Sequence, residues 1–130
     1  MRIEIEWWWN QAKRDFEMAN RLFEAKYFDG AAYHSHQAAE KALKAFSLKE
    51  GIWHLTHSCK YMLDQLKSRN FKVDELYSCA REIDRHYLTS RYPNAASAPP
   101  YELYDEKKAL ELINCARLIL NFVKEELKFE

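Results

Sequence analysis

Glycine is almost missing from this 130-residue chain, with Gly30 and Gly51 the only two. Proline is nearly as scarce, and its three copies, Pro93, Pro99 and Pro100, crowd into one stretch. So few breakers leave long segments free for regular structure, and the chain carries no internal repeat or low-complexity tract. Net charge is missing too, because 20 Lys and Arg offset 20 Asp and Glu. A formal charge of zero gives no global attraction to nucleic acid or anionic membrane, so any such contact has to come from a local patch. No apolar run approaches a membrane span. The opening MRIEIEWWWNQAKRDFE alternates charges with aromatic rings instead of forming a signal-peptide core, and the expected compartment is cytoplasmic. The three cysteines, Cys59, Cys79 and Cys115, form no CxxC pair, which argues against a zinc knuckle and a disulfide framework. Each falls in an apolar helical stripe and is expected to be a small buried hydrophobe.

What the chain does have is apolar bulk, 48% hydrophobic and 15% aromatic, which argues against disorder and supplies a core for one domain over residues 1–130. Between the breakers the apolar spacing is helical. Residues 4–26 carry Trp8, Ala12, Phe16, Ala19 and Phe23 at steps of three and four. Residues 30–49, with Asp29 as the expected N-cap, put Ala39, Ala42, Leu43 and Phe46 on one face. Residues 56–67 form a short third segment with Cys59, Met62, Leu63 and Leu66 as its stripe, and residues 74–88 a fourth with Leu76, Ala80, Ile83 and Tyr87. A fifth starts after Asp105, another good cap, and runs almost to the end. Its stripe is Ala109, Leu112, Ile113, Ala116, Ile119, Leu120, Val123 and Leu127. No stretch alternates with period two, so the expected fold is all-α, an up-and-down bundle of four long helices plus one short helix. The connection over residues 89–104 is longer than bundle loops usually are, and its Tyr92, Tyr101 and Tyr104 favour an ordered loop packed back on the helices. Trp7, Trp8 and Trp9 span about 200° of helical arc. One face cannot bury all three, so at least one is expected to cover a loop or an oligomer interface.

The polar residues concentrate at the end of the fourth segment. Arg81, Arg85, His86 and Arg91 gather positive charge in a neutral chain, and arginine forks pair with phosphate. Asp84, Tyr87 and Arg91 share a face if the helix persists. The plain alternative has Arg81 and Arg85 solvated beside Glu82 and Asp84, with Tyr87 in the core. Arg81 and His86 also form an Arg-x4-His pair, and a histidine moving a proton beside an arginine on the phosphate is sufficient chemistry for metal-free RNA cleavage. His34 and His36 diverge on a helix and cannot share a metal, so no metal site is expected, and His57 reads as a structural hydrogen bond.

Together these residues resemble the HEPN family, the higher-eukaryote and prokaryote nucleotide-binding domains. The likeness runs from Trp8, Ala12, Asp15, Ala19 and Leu22 through residues 27–45, with Gln37-Ala38-Ala39-Glu40-Lys41 at their centre, and His57, to Ile83-Asp84-x-x-Tyr87-x-x-x-Arg91-Tyr92-Pro93. The resemblance implies a four- to five-helix bundle, often a homodimer, that binds nucleotide or RNA and pairs with a minimal nucleotidyltransferase in a toxin–antitoxin-like arrangement, with no cofactor. Asp84, Tyr87, Arg91 and Tyr92 are then ligand-binding candidates. The alternatives are a metal-independent endoribonuclease with Arg81 and His86 as catalytic residues, and an interaction bundle in which the polar cluster staples the long loop. Glu82 stands after Arg81, where the ribonuclease motif of the family usually has Asn or Asp.

Overall fold

The computed structural model describes residues 2–53 and 55–128. Two long helices, α1 (Arg2–Glu24) and α2 (Phe28–Lys49), form a hairpin, and a third, α7 (Glu106–Leu127), packs along α2. Between them lie α3 (Cys59–Lys67), α4 (Tyr77–Asp84) and two single-turn helices, α5 (Pro93–Ala96) and α6 (Pro100–Leu103). The architecture is all-helical, with no strand among the described residues.

Local chemistry explains where the helices begin and end. Helix α1 stops two residues before the expected boundary. Lys26 adopts a left-handed φ of 67°, Tyr27 N–H donates to Leu22 C=O at 2.8 Å and Lys26 N–H to Phe23 C=O at 3.0 Å, the paired bonds of a Schellman stop. Tyr27, not Asp29, occupies the N-cap of α2 and supplies no side-chain cap; Asp29 lies inside the first turn, where its charge still opposes the helix dipole. Helix α3 starts at Cys59 and not Thr56, because Ser58 Oγ accepts Tyr61 N–H at 3.1 Å. Asp105 caps α7 as expected, accepting Lys108 N–H at 2.8 Å. The fourth segment departs most: a 3₁₀ turn (Asp74–Leu76) precedes α4, which ends at Asp84, four residues early. Loop 89–104 is not irregular throughout, since Pro93 and Pro100 each open a helical turn, where a missing N–H costs nothing.

The core follows the apolar stripes of α2, α3 and α7, all of whose expected members are buried. The alanines of α2 allow close approach on several sides, so α2 is the buried centre of the bundle. In α1 the buried face is rotated by about one residue: Trp9 and Asp15 join Ala12 and Ala19, while Phe16 and Phe23 flank them. The tryptophan triplet splits accordingly. Trp9 is buried, Trp7 is 62% exposed, and Trp8 lies 5.9 Å from the Trp53 ring, covering the loop after α2.

The cysteine expectation needs correction. Cys79 and Cys115 form a disulfide between α4 and α7, with Cα atoms 5.0 Å apart. They are 36 residues apart in sequence, and only the packing of α7 against α4 brings them together. Cys59 alone is the free, buried cysteine that all three were expected to be.

Candidate nucleotide-binding site

Beyond Asp84 the chain tightens through turns. His86 N–H donates to Ile83 C=O at 3.0 Å, Arg91 N–H to Leu88 C=O at 3.1 Å and Tyr92 N–H to the same oxygen at 2.9 Å. Pro93 then holds Tyr92 extended at φ −120° and ψ 125°, as a residue before proline prefers. This path turns Arg91 back toward α2. Its guanidinium carbon sits 4.6 Å from the Tyr87 ring centre, 4.9 Å from Tyr92 and 5.1 Å from Tyr33. Three ring faces stabilise a cation electrostatically without neutralising it. Burial opposes the charge, but the hydroxyl of Tyr87 and the neighbouring tyrosines hold the guanidinium pKa above its ordinary value. Arg91 Nε is buried with no hydrogen-bond partner. Among the described residues no carboxylate pairs with Arg91. Tyr92 stands beside it, 50% exposed.

Tyr87 links this arginine to a second group. The His57 ring stacks on Tyr87 at 4.5 Å and 17°, and the His36 ring lies 4.9 Å away at 39°. His36 Nε2–H donates to the His57 carbonyl at 3.0 Å, and burial holds its pKa below the ordinary histidine value against the pull of Glu40. His57 Nδ1 meets Glu40 Oε1 at 3.0 Å, and Glu40 is itself buried, with Lys44 Nζ at 2.9 Å from its other oxygen. Lys44 lies 5.3 Å from the Trp8 ring centre. The hydrogen bond expected of His57 is therefore present, but its acceptor is a buried charge.

Asp84 is placed differently from Tyr87 and Arg91. Its carboxylate accepts Cys59 N–H at 2.7 Å, Lys60 N–H at 3.0 Å and the Ser58 hydroxyl at 3.0 Å, so it closes the N-terminus of α3. Early termination of α4 replaces the helical face expected to carry Asp84, Tyr87 and Arg91. Tyr87 and Arg91 meet through the turns instead. Asp84 and Tyr87 share a small cleft of about 280 Å³ with Thr56, His57 and Ser58.

Arg81 and His86 have different partners. Arg81 lies over the Tyr77 ring at 5.2 Å. Burial and then the Asp64 carboxylate, which accepts from the Tyr77 hydroxyl at 2.7 Å, raise the Tyr77 phenol to about 12. His86 uses both ring nitrogens: Nδ1 lies 2.7 Å from the Tyr104 hydroxyl and Nε2 3.0 Å from Glu82 Oε2. Thr89 Oγ1 also meets the Tyr104 hydroxyl at 2.8 Å. The His86 hydrogen bond, assisted by Lys108, outweighs burial and keeps the Glu82 carboxyl below its usual range. His86, Thr89, Tyr104 and Lys108 border a cleft of about 550 Å³.

Two buried charges escaped the sequence reading, Asp15 and Glu40. Asp15 is 2% exposed, with His34 Nδ1 at 2.9 Å and Lys41 Nζ at 2.7 Å from its two oxygens. The signal for it was present, since Asp15 sits in the Ala12–Ala19 stripe at helical spacing. One further cluster brings His36, Cys59 and Asp84 ligand atoms within 4.8 Å of one another. The donor set suits a metal poorly. Burial, then Asp84 and Glu40, push the Cys59 thiol well above its ordinary value, and both Asp84 oxygens already accept hydrogen bonds.

Known proteins share this fold and sequence. A family model described as HEPN domain matches residues 5–127. "Putative toxin MJ1304" of Methanocaldococcus jannaschii is 27% identical over 128 residues, covering 91% of this chain and 84% of that protein. The crystal structure of TT1696 from Thermus thermophilus superposes with a TM-score of 0.88 at 30% identity, covering 94% of this chain and 97% of that one. The structure of ST0689, an archaeal HEPN homologue, gives a TM-score of 0.78 at 39% identity, covering 93% and 95%. With sequence and fold matching over nearly its whole length, this chain belongs to the HEPN domain family.

Proposed function

We propose that the protein is a nucleotide- or RNA-binding HEPN module whose site is built on Arg91. The observation that carries this reading is a guanidinium facing three tyrosine rings, with a buried, unpartnered Nε and no carboxylate paired with it. A phosphate would supply the missing counter-charge, and the exposed Tyr92 ring beside it suits base stacking. Tyr87 orients the arginine, and Asp84 holds the neighbouring start of α3 in place. Family membership and the toxin name of the Methanocaldococcus jannaschii relative support a further part of the proposal, a paired system with a minimal nucleotidyltransferase in which this chain acts as a homodimer.

The geometry favours a different role for His86. Its two ring nitrogens, together with Thr89, tie Tyr104 to the end of α4, which is how a staple for the long loop is built. Cleavage by Arg81 and His86 would require both side chains to leave these partners. Nucleotide-induced thermal stabilisation that disappears in Arg91→Ala tests the binding reading. Metal-free RNA cleavage lost in His86→Ala would favour the nuclease instead.

A further inference from the structure

Resting on the Arg91 reading, we infer that His57 makes the site selective for ribonucleotides by accepting a hydrogen bond from the ribose 2′-hydroxyl. The argument begins at Glu40. Its carboxylate is buried and bound to Lys44, so toward His57 it acts as an acceptor, and the His57 nitrogen facing it at 3.0 Å carries the hydrogen. That bond leaves the lone pair on Nε2, the tautomer logic by which the partner of one ring nitrogen sets the role of the other. Among the described residues Nε2 has no hydrogen-bond partner, and the His57 side chain is 52% exposed.

The surroundings narrow what this acceptor can meet. In the cleft shared by Thr56, His57, Ser58, Asp84 and Tyr87, the other acceptors are engaged: the Asp84 carboxylate binds the start of α3, and Thr56 Oγ1 accepts Ser58 N–H at 3.0 Å. His57 is therefore the acceptor left for a ligand. The same Tyr87 ring touches both ends of the site, with His57 at 4.5 Å and the Arg91 guanidinium at 4.6 Å. A ligand spanning them carries an anion at one end and a hydroxyl donor about one sugar away. A ribonucleotide with its phosphate on Arg91 and its 2′-hydroxyl on His57 has both. A 2′-deoxynucleotide keeps the anion and leaves His57 without its donor, which costs binding wherever the site is drained of water.

The test compares the four ribonucleoside 5′-triphosphates with their 2′-deoxy counterparts, and an RNA octamer with DNA of the same sequence, by titration against the wild-type protein, His57→Ala and His57→Phe. The phenylalanine variant keeps a ring stacked on Tyr87 and covers the case in which alanine unfolds the loop. The expected result is wild-type binding of the ribo form about tenfold tighter than the deoxy form, a preference abolished in either variant while deoxy affinity is unchanged. Equal wild-type affinity for both forms overturns the inference and leaves the Arg91 site standing. A His57 variant that weakens ribo and deoxy forms alike also overturns it, placing the imidazole on the phosphate. Absence of binding by any of these probes removes both.

Discussion

The Asp84 carboxylate, from the last residue of α4, accepts the Cys59 N–H at 2.7 Å and so closes the first turn of a helix 25 positions earlier in sequence. A carboxylate at this position satisfies orphan amides and opposes the positive end of the helix dipole. Asp84→Ala is expected to destabilise the protein by about 1–3 kcal/mol with no ligand present. Asp84→Asn, which retains one accepting oxygen, should cost less. Thermal unfolding of the two variants checks both the loss and the order.

Glu40 and Lys44 form an ion pair inside the bundle, 3% and 7% exposed. Removing one partner leaves a buried charge, so Glu40→Ala should cost about 3–5 kcal/mol. Replacing both with Met fills the space without a charge and should recover much of that loss. Urea unfolding of the single and double variants measures the coupling; a double variant as unstable as Glu40→Ala would show that the pair is not the cause.

Asp15 gives the stability an acid limb. Burial raises its pKa, but the hydrogen bonds from His34 and then Lys41 outweigh this and leave it below its ordinary value. A carboxyl lowered on folding stabilises the native state above its unfolded pKa of about 4 and loses that contribution as pH falls through the native value. Melting temperatures of the wild type should drop as pH falls below about 4, and Asp15→Asn should be less stable at pH 7 with a flatter acid limb.

The Cys79–Cys115 bridge closes a loop spanning 36 residues between α4 and α7. By the chain-entropy account such a bond contributes about 3–4 kcal/mol. Reducing agent should lower the wild-type melting temperature, and Cys79→Ser with Cys115→Ser should match the reduced protein and be insensitive to reductant.

The helices were legible because their stripes repeat at 3.6 residues and meet few breakers. Ala109 through Leu127 is buried in α7 as its spacing predicts. Boundaries were legible where a side chain sets them, as Asp105 does. They were lost where backbone geometry or a distant group decides, as with the left-handed Lys26 and the capping of α3 by Asp84. The same contrast runs through the site. The Asp84–Pro93 motif was visible, but the convergence of Tyr33 with Tyr87 and Tyr92 on Arg91 depends on the turns after α4 and on packing against α2. The disulfide and the Glu40–His57 contact join residues 36 and 17 positions apart, separations at which local patterning carries no information.

The central claim is that Arg91 holds an anion. Scanning melting temperature against increasing concentrations of the four ribonucleoside triphosphates and a short RNA tests it, because a ligand bound only by the native state raises Tm in proportion to its occupancy. At least one probe should raise the wild-type Tm, Arg91→Ala should lose the shift, and Arg91→Lys, with charge but no planar fork, should retain part of it. A wild-type protein unmoved by every probe, or an Arg91→Ala variant stabilised as strongly as the wild type, would contradict the account.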